Sequence, residues 1–349
     1  MYVEAYLPIS INQAFTYHVP RELENQIYKG SIIQVPFGSR RSLAYVNKVV
    51  SKTLYPGKTK TIISIKSNIV EQNPELGTLV EWMSRYYITS RGTVAKNNFS
   101  FLYSKTSSKK IKTDKQIHLT KKGKDFFNNR GVKGKSRIKV LEYLFNKGTK
   151  NLKELKEILR ASPQTVKTLE RDNLISVQET TIENNPLLYV ETDKKKDNLL
   201  LSEKQDEIFQ AIKSQAKQNK FSANLIHGVT GSGKTEIYIK LIENLIKQRK
   251  SALILVPEIV LTPETATRFK RYFQKDVGVW NSSMTYSEKK WTWENVKNNK
   301  IKIIVGTRSS VFLPMQKLSL IVVDEEHDSS YKQAEGMPSY NARDIAIIR

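Results

Sequence analysis

The sequence has no cysteine, and its four histidines, His18, His118, His227 and His327, are scattered. The first absence excludes disulfides and cysteine-based zinc sites and fits a reducing cytoplasm. The second leaves no histidine spacing that suggests a transition-metal site. Long hydrophobic runs are missing too: no apolar stretch approaches the roughly 18 residues of a membrane span, and Met1-Tyr2-Val3-Glu4 does not open a signal peptide. The chain is therefore expected to be soluble and cytoplasmic, with no membrane partner. Acidic residues are scarce, 34 Asp plus Glu against 58 Lys plus Arg, which leaves a formal net charge of +24 over 349 residues. No basic amphipathic helix with an aromatic face stands out, so the excess points to nucleic acid before a membrane surface. The plainer account is a lysine- and asparagine-rich composition that only keeps the chain in solution.

What is present is organised around Gly228-Val229-Thr230-Gly231-Ser232-Gly233-Lys234-Thr235, which fits the phosphate-binding pattern GxxxxGK[ST] at every fixed position. Asn224-Leu225-Ile226-His227 ahead of it reads as a short strand. Glu236 to Lys247 behind it, with Ile237, Ile239, Leu241, Ile242, Leu245 and Ile246, reads as a buried helix. Glycines at Gly228, Gly231 and Gly233 let the backbone curl so that successive N–H groups and the helix N-terminus meet phosphate oxygens. Lys234 then reaches the β- and γ-phosphates of ATP, and the Thr235 hydroxyl ligates Mg²⁺. A bare strand-to-helix turn would not require lysine and threonine directly after the last glycine.

Residues 1–103 read as a β-rich domain. Val3 to Leu7, Ala14 to Val19, Ser31 to Phe37, Leu43 to Val50 and Thr61 to Ile65 are short β-branched and aromatic runs with proline and glycine between them. A helix is expected from Pro74 to Tyr87. Taken alone, Phe15, Tyr17 and Phe37 belong to its core. Between Lys96 and Arg160 nineteen lysines and arginines face five acids. Ser104 to Asp114 reads as an exposed linker, and helices are expected over Ser136–Asn146, Leu152–Leu159 and Ser162–Asp172, followed by a strand-like Leu174–Glu183. That is a winged-helix pattern over 104–185, whose last helix carries Gln164, Thr165, Lys167 and Thr168 toward a DNA groove. A spacer or protein-contact role would leave the same pattern. Residues 186–198 form a linker, and from Leu199 the register becomes α/β.

Within 199–349 three more stretches follow the phosphate loop. Ala252 to Glu258 is a buried parallel strand reaching its carboxyl end, and Ile301 to Val305 delivers Gly306-Thr307-Arg308-Ser309-Ser310 to the edge where open α/β sheets place ligands. Leu318 to Val323 delivers Asp324-Glu325-Glu326-His327. Asp324 would stand beside the Mg²⁺ of Thr235, and Glu325 would orient or deprotonate the attacking water.

In this order, Gly-Val-Thr-Gly-Ser-Gly-Lys-Thr-Glu, Val-Pro-Glu-Ile-Val-Leu-Thr-Pro, Val-Gly-Thr-Arg-Ser-Ser-Val-Phe and Asp-Glu-Glu-His-Asp-Ser-Ser-Tyr-Lys-Gln, the chain resembles the bacterial primosomal protein N′ family of replication-restart helicases, in helicase superfamily 2. The resemblance implies a multidomain fold: a β-rich 3′-end DNA-binding domain, a winged helix, then a RecA-like P-loop lobe with a parallel sheet flanked by helices. It implies that Gln205 contacts adenine and that His327 couples the nucleotide site to DNA. Arg308 falls among the DNA contacts. Tyr331, Lys332, Gln333, Met337 and Tyr340 fall in an aromatic-rich loop that senses single-stranded DNA, with base stacking as its physical basis. Phe15, Thr16, Tyr17, Gly38 and Lys60 align with a pocket for the terminal nucleotide of a nascent strand. Thr16 stands where the family has aspartate, and Asn281-Ser282 where it shows histidine-serine.

The resemblance also implies that a second RecA-like lobe, its arginine finger and a cysteine-rich zinc module lie beyond Arg349. The expected function is an ATP-dependent 3′-to-5′ DNA helicase that recognises stalled or branched forks and initiates primosome assembly. These residues alone would bind ATP, forked DNA and single-stranded DNA with little hydrolysis or unwinding. Single-strand-binding protein and primosome or helicase-loading proteins are the implied partners of a monomer. The alternative is a non-enzymatic fork-binding module with a passive P-loop lobe. An unrelated P-loop ATPase, such as a transporter or kinase subunit, leaves the Asp-Glu-Glu-His run unexplained.

Overall fold

The structure is a computed structural model that describes residues 1–53, 55–104, 113–128, 134–151, 155, 158–159, 162–181, 184–187, 199–218, 220–229, 231–261 and 263–349. The chain divides into two compact units, one of Met1–Ser107 with Asn184–Arg349 and one of Ser108–Glu183.

The first unit opens with strands β1 (Tyr2–Tyr6), β2 (Ala14–His18), β3 (Ile32–Phe37), β4 (Arg40–Val50), β5 (Lys60–Thr61) and β6 (Ser64–Ser67). They form a mixed sheet in the order β5-β2-β1-β4-β3-β6, with β2 and β5 parallel and the other pairs antiparallel. Alternation does the folding: Val3 and Ala5 of β1 are fully buried while Tyr2 and Glu4, which alternate with them, are not. Val3, Ala5, Tyr17, Val35 and Val46 share one core. The run expected as a single strand over Thr61–Ile65 is two strands, because β5 leaves to pair with β2 while β6 stays on β3.

Four helices follow, α1 (Ile69–Gln72), α2 (Pro74–Tyr86), α3 (Arg91–Asn98) and α4 (Ser100–Tyr103). Ser90 caps α3 by accepting from Thr93 N. Gly92 in its first turn lies so close to the chain after β1 that an added Cβ would sit 1.9 Å from Leu7 O. Gly92→Ala is therefore expected to cost at least ~2 kcal/mol, since backbone cannot give way as a side chain does. The check is thermal melting, with a fall of several degrees expected.

The α/β part carries α8 (Glu203–Lys217), α9 (Lys234–Lys247), β10 (Ser251–Leu255), α10 (Pro263–Phe273), β11 (Val277–Trp280), α11 (Tyr286–Lys297), β12 (Ile303–Gly306), β13 (Leu318–Val323) and α12 (Ala342–Ile348). The sheet is parallel in the order β11-β12-β10-β13. Every residue of β10, β11 and β12 is buried, as continuous apolar runs covered on both faces require. One hydrophobic core joins this sheet to the preceding helices: Leu79, Met83 and Phe99 belong to the same cluster as Leu253, Trp280, Trp293 and Phe312.

One expected strand is absent. Residues 220–229, the segment entering the phosphate loop, carry no strand, and Leu225 and Val229 are exposed. Only Ile226 packs inward, against the clusters that contain Ile239 and Ile237 of the helix behind the loop. A four-residue run on the open edge of β13 would be bonded on one side only, too little to offset about 1–2 kcal/mol of backbone entropy per ordered residue.

The second unit holds β7 (Thr113–Leu119), α5 (Lys121–Asn128), α6 (Lys135–Lys147), β8 (Lys150–Asn151), α7 (Pro163–Arg171) and β9 (Ile175–Thr181). The strands pair antiparallel in the order β8-β7-β9, and Ile117, Val140, Leu141, Leu144, Val166 and Leu169 form the core. Ser162 caps α7 ahead of Pro163, as its sequence suggests. The region read as a linker up to Asp114 enters β7 at Thr113, and α5 has no counterpart in the expectation. Most of the helix expected over Leu152–Leu159 lies outside the described residues.

Candidate nucleotide and nucleic-acid sites

Gly231 and Gly233 have φ of +80° and +81°, the left-handed region that glycine adopts freely, and Gly233 is the N-cap of the fourteen-residue α9. That geometry turns the chain so that the N-terminus of α9 faces the loop. Lys234 Nζ lies 2.7 Å from Gly228 O and 3.2 Å from Val229 O, so the ammonium sits inside the curl of the loop. Thr230 lies outside the described residues. Gln205 is committed at both ends: its Oε1 accepts from Ser202 N at 2.8 Å in a capping box, and its Nε2 donates to Ser232 O and Gly233 O at 3.3 and 3.4 Å. It grips the back of the loop, and an adenine contact would share that amide. Thr235 is half-buried in the first turn of α9.

Asp324 is delivered by β13, with its N–H bonded to Leu255 O at 2.9 Å. Burial raises its carboxyl above the ordinary range, and the Glu325 charge adds to this while Lys234 opposes it. Tyr238 OH stands 3.5 Å from Asp324 Oδ1. Glu325 takes a left-handed conformation at φ +46°, an uncommon choice for a non-glycine residue, which turns the chain sharply after the strand. His327 is exposed, with Nε2 3.9 Å from Glu325 Oε2, so it touches the acid expected to handle water. Glu326 instead pairs with Arg343 at 3.0 Å.

The loop after these acids departs from expectation. Tyr331 and Tyr340 are each 1 % exposed, so their rings are core and cannot stack on a base in this conformation. The Tyr331 hydroxyl lies 2.5 Å from Asp324 O and 3.0 Å from Leu255 O, and Tyr340 packs edge-on against Phe312. Lys332 and Met337 are exposed. Gln333 donates to Pro338 O at 3.1 Å and accepts from Asn97 of α3 at 3.3 Å. Arg308 NH1 donates to Ser330 O and Lys332 O, both at 3.2 Å, and so anchors the loop rather than standing free.

In the β-rich part, Phe15 meets Phe37 edge-on at 5.6 Å, and Lys60 Nζ reaches Gly38 O at 3.4 Å. Gly38 has φ +59° in the β3–β4 turn and open space where a side chain would be. These four residues share one neighbourhood. Tyr17 is 4 % exposed, and burial pushes its hydroxyl up to about 12, so it is a core residue instead. Thr16, between Phe15 and Tyr17, projects from the opposite face opposite Glu4 of β1.

The comparisons with known proteins divide along the same lines. A family model described as "3'DNA-binding domain (3'BD)" matches residues 4–99, and one described as "Type III restriction enzyme, res subunit" matches residues 198–347. The "Replication restart protein PriA" of Chlamydia muridarum is 32 % identical over all of this chain and 47 % of its own length. That of Haemophilus influenzae is 32 % identical over 99 % of this chain and 47 % of its own. The chain belongs to the PriA family. It spans about half the length of these relatives. The Helicobacter pylori PriA is 52 % identical over 128 residues, 37 % of this chain and 20 % of that protein.

One position was misread from sequence and another was missed. Phe37 was expected in the core, yet it is 40 % exposed beside Phe15; its place next to a tight glycine turn was the available signal. Asn97 carried no signal at all, since its role depends on a loop more than two hundred residues away. Among the described residues no cluster of three or more His, Asp or Glu could hold a metal. Magnesium does not need one: one carboxylate, one hydroxyl and phosphate oxygens suffice, and the half-buried Asp324 carboxyl, whose charge partial burial disfavours, fits that demand. Asp324→Asn is expected to raise the melting temperature by roughly 2 °C in chelator, because a half-buried charge beside Glu325 is removed. Magnesium-dependent nucleotide binding should fall in the same variant; a lowered melting temperature would contradict this account of Asp324.

Proposed function

We propose that the chain is the amino-terminal portion of an ATP-dependent 3′-to-5′ DNA helicase that recognises stalled or branched forks and initiates primosome assembly. The observation that carries this reading is that a phosphate loop with its lysine and strand-end acid, and an aromatic pair beside a glycine turn, belong to one packed unit. The Lys234 ammonium and α9 N-terminus would bind the phosphates of ATP, and Thr235 and Asp324 would hold Mg²⁺. When bound, Mg²⁺ would supply neutralisation of phosphate charge. Glu325, touching His327, would orient water or accept its proton. Phe15, Phe37, Gly38 and Lys60 would receive a DNA 3′ end, and the basic unit of Ser108–Glu183, as a winged helix, would grip duplex or branch. Single-strand-binding protein and helicase-loading proteins are the proposed partners, and the cytoplasm is the proposed location. Among the described residues no helix is long and apolar enough to cross a membrane.

One observation favours a second reading, a fork-binding module with a passive lobe: Lys234 is bonded to the loop's own carbonyls and no strand supports the loop. Lys234→Ala decides between them. On the first reading the wild-type chain binds MgATP, nucleotide alters its affinity for forked DNA, and the variant binds nucleotide at least tenfold more weakly, given about 1.5–3 kcal/mol per charge-assisted hydrogen bond. Fork affinity indifferent to both nucleotide and substitution would leave the passive module.

A further inference from the structure

Glu236 places a carboxylate at the end of α9 that faces the phosphate loop, two residues after Lys234. An acid in the first turn of a helix ordinarily complements the positive end of its dipole. Here it shares that end with a loop built for an anion, so the two negative charges compete. One carboxylate oxygen turns inward. A Cβ added at Gly233 would lie 3.0 Å from Glu236 Oε2 and 2.1 Å from Gln205 Nε2, so the acid and the amide flank the same point of the loop. Glu236 Oε2 is shut off from solvent and has no hydrogen-bond partner among the described residues.

The neighbouring helix supplies a counter-charge. Ala266 and Phe269 of α10 are buried in the core that holds Tyr238 and Ile239 of α9, which sets the two helices against each other. Arg268, beside Phe269, donates from its NH2 to Glu236 Oε1. Among the described residues no other cation pairs with Glu236: Lys240, one turn on, goes to Glu243 at 3.5 Å, and Lys234 Nζ lies on the carbonyls of Gly228 and Val229. The Arg268 side chain is 46 % exposed and that of Glu236 24 %, so as a fold contact the pair contributes little. Its larger consequence is the charge it cancels beside the loop.

We propose that Arg268 is a positioning residue of the nucleotide site: by neutralising Glu236 it keeps the N-terminus of α9 positive, and so sets how strongly the site favours a triphosphate over a monophosphate. This rests on the nucleotide-binding reading above. Without Arg268, Glu236 repels every phosphate charge the ligand carries, and that repulsion grows with the ligand's charge. A loss of packing would weaken all adenine nucleotides alike.

The test measures Kd for ATP, ADP and AMP with the 349-residue chain by titration calorimetry in chelator, where no magnesium offsets the phosphates. Arg268→Gln is expected to weaken ATP about tenfold, ADP less, and AMP about threefold or less. The loss should shrink as ionic strength rises from about 0.1 to 1 M, over which the Debye length falls from about 10 to 3 Å. Glu236→Gln, which reads the same charge independently should Arg268→Gln fail to fold, is expected to tighten ATP. The double variant should return toward the wild-type affinity, and Arg268→Lys should keep it. A loss equal for the three nucleotides, indifferent to salt and not relieved by Glu236→Gln, would make the pair a packing contact and overturn the proposal while nucleotide binding stood. Unchanged ATP affinity in both single variants would overturn it as well. A wild-type chain that binds none of the three would remove the nucleotide reading and the role of Arg268 together.

Discussion

ATP turnover by the 349-residue chain alone is expected to run about 10³ to 10⁵ below that of a complete motor, even with forked DNA present, because phosphoryl transfer depends on an arginine that neutralises charge on the transferring group. Four arginines of the α/β part are already committed within the fold. Arg268 pairs with Glu236, Arg308 holds the carbonyls of Ser330 and Lys332, and Arg343 pairs with Glu326. Arg349 has its side chain 1 % exposed and donates to Val311 O and Leu313 O at 2.5 and 2.7 Å. To serve as a finger, each would have to give up bonds in the fold. Binding is a separate matter, since on the proposed reading Lys234 and the α9 N-terminus would act on the ground-state phosphates. Phosphate release should therefore stay near the Lys234→Ala background while nucleotide binding in equilibrium dialysis stays intact. Fork-stimulated release at the several-per-second rates of helicase motors would show that one of these arginines moves, and that the site is whole without a second lobe.

The contrast between what the sequence discloses and what it hides follows the range of the interactions. The phosphate loop, the strand delivering Asp324 and the capped start of α7 are local: each needs a pattern within about ten residues, and each is visible as glycine spacing, apolar run or cap. The entry strand at Asn224 was misjudged because its existence depends on a neighbour across the sheet, which a run of four apolar-leaning residues cannot report. Tyr331 and Tyr340 show the same limit from the other side. An aromatic in a loop reads as a stacking platform, whereas here one ring supports the backbone of Asp324 and the other packs on Phe312. The link from Asn97 to Gln333 is further out of reach, because it joins the helices after the first sheet to the loop after the acidic strand. Through it the helices after the first sheet touch the loop after the acidic strand, and the common core makes them a single packed unit.

Phe37→Ala is expected to reduce the chain's preference for a free DNA 3′ end by about tenfold to a hundredfold, the range set by about 1–3 kcal/mol of base stacking per aromatic. Phe37 suits the experiment better than Phe15. It is 40 % exposed, so its removal costs little core, whereas Phe15 packs against the cluster containing Val3 and Val35 and its loss would mix binding with stability. The measurement is competition between two otherwise identical strands, one ending in a 3′ hydroxyl and one in a 3′ phosphate. If Phe37 and Phe15 form the walls of a terminal-nucleotide site, the variant loses the difference between the strands but keeps its general affinity, which the basic surface supplies. Lys60→Gln should lose less, because Lys60 is exposed and its bond to Gly38 O is long at 3.4 Å. Equal affinity of the wild-type chain for both strands would remove the 3′-end assignment from Phe15, Phe37, Gly38 and Lys60. The six-stranded sheet and its helices would then serve by rigidity alone, with Asn97 of α3 holding Gln333, rather than by reading DNA.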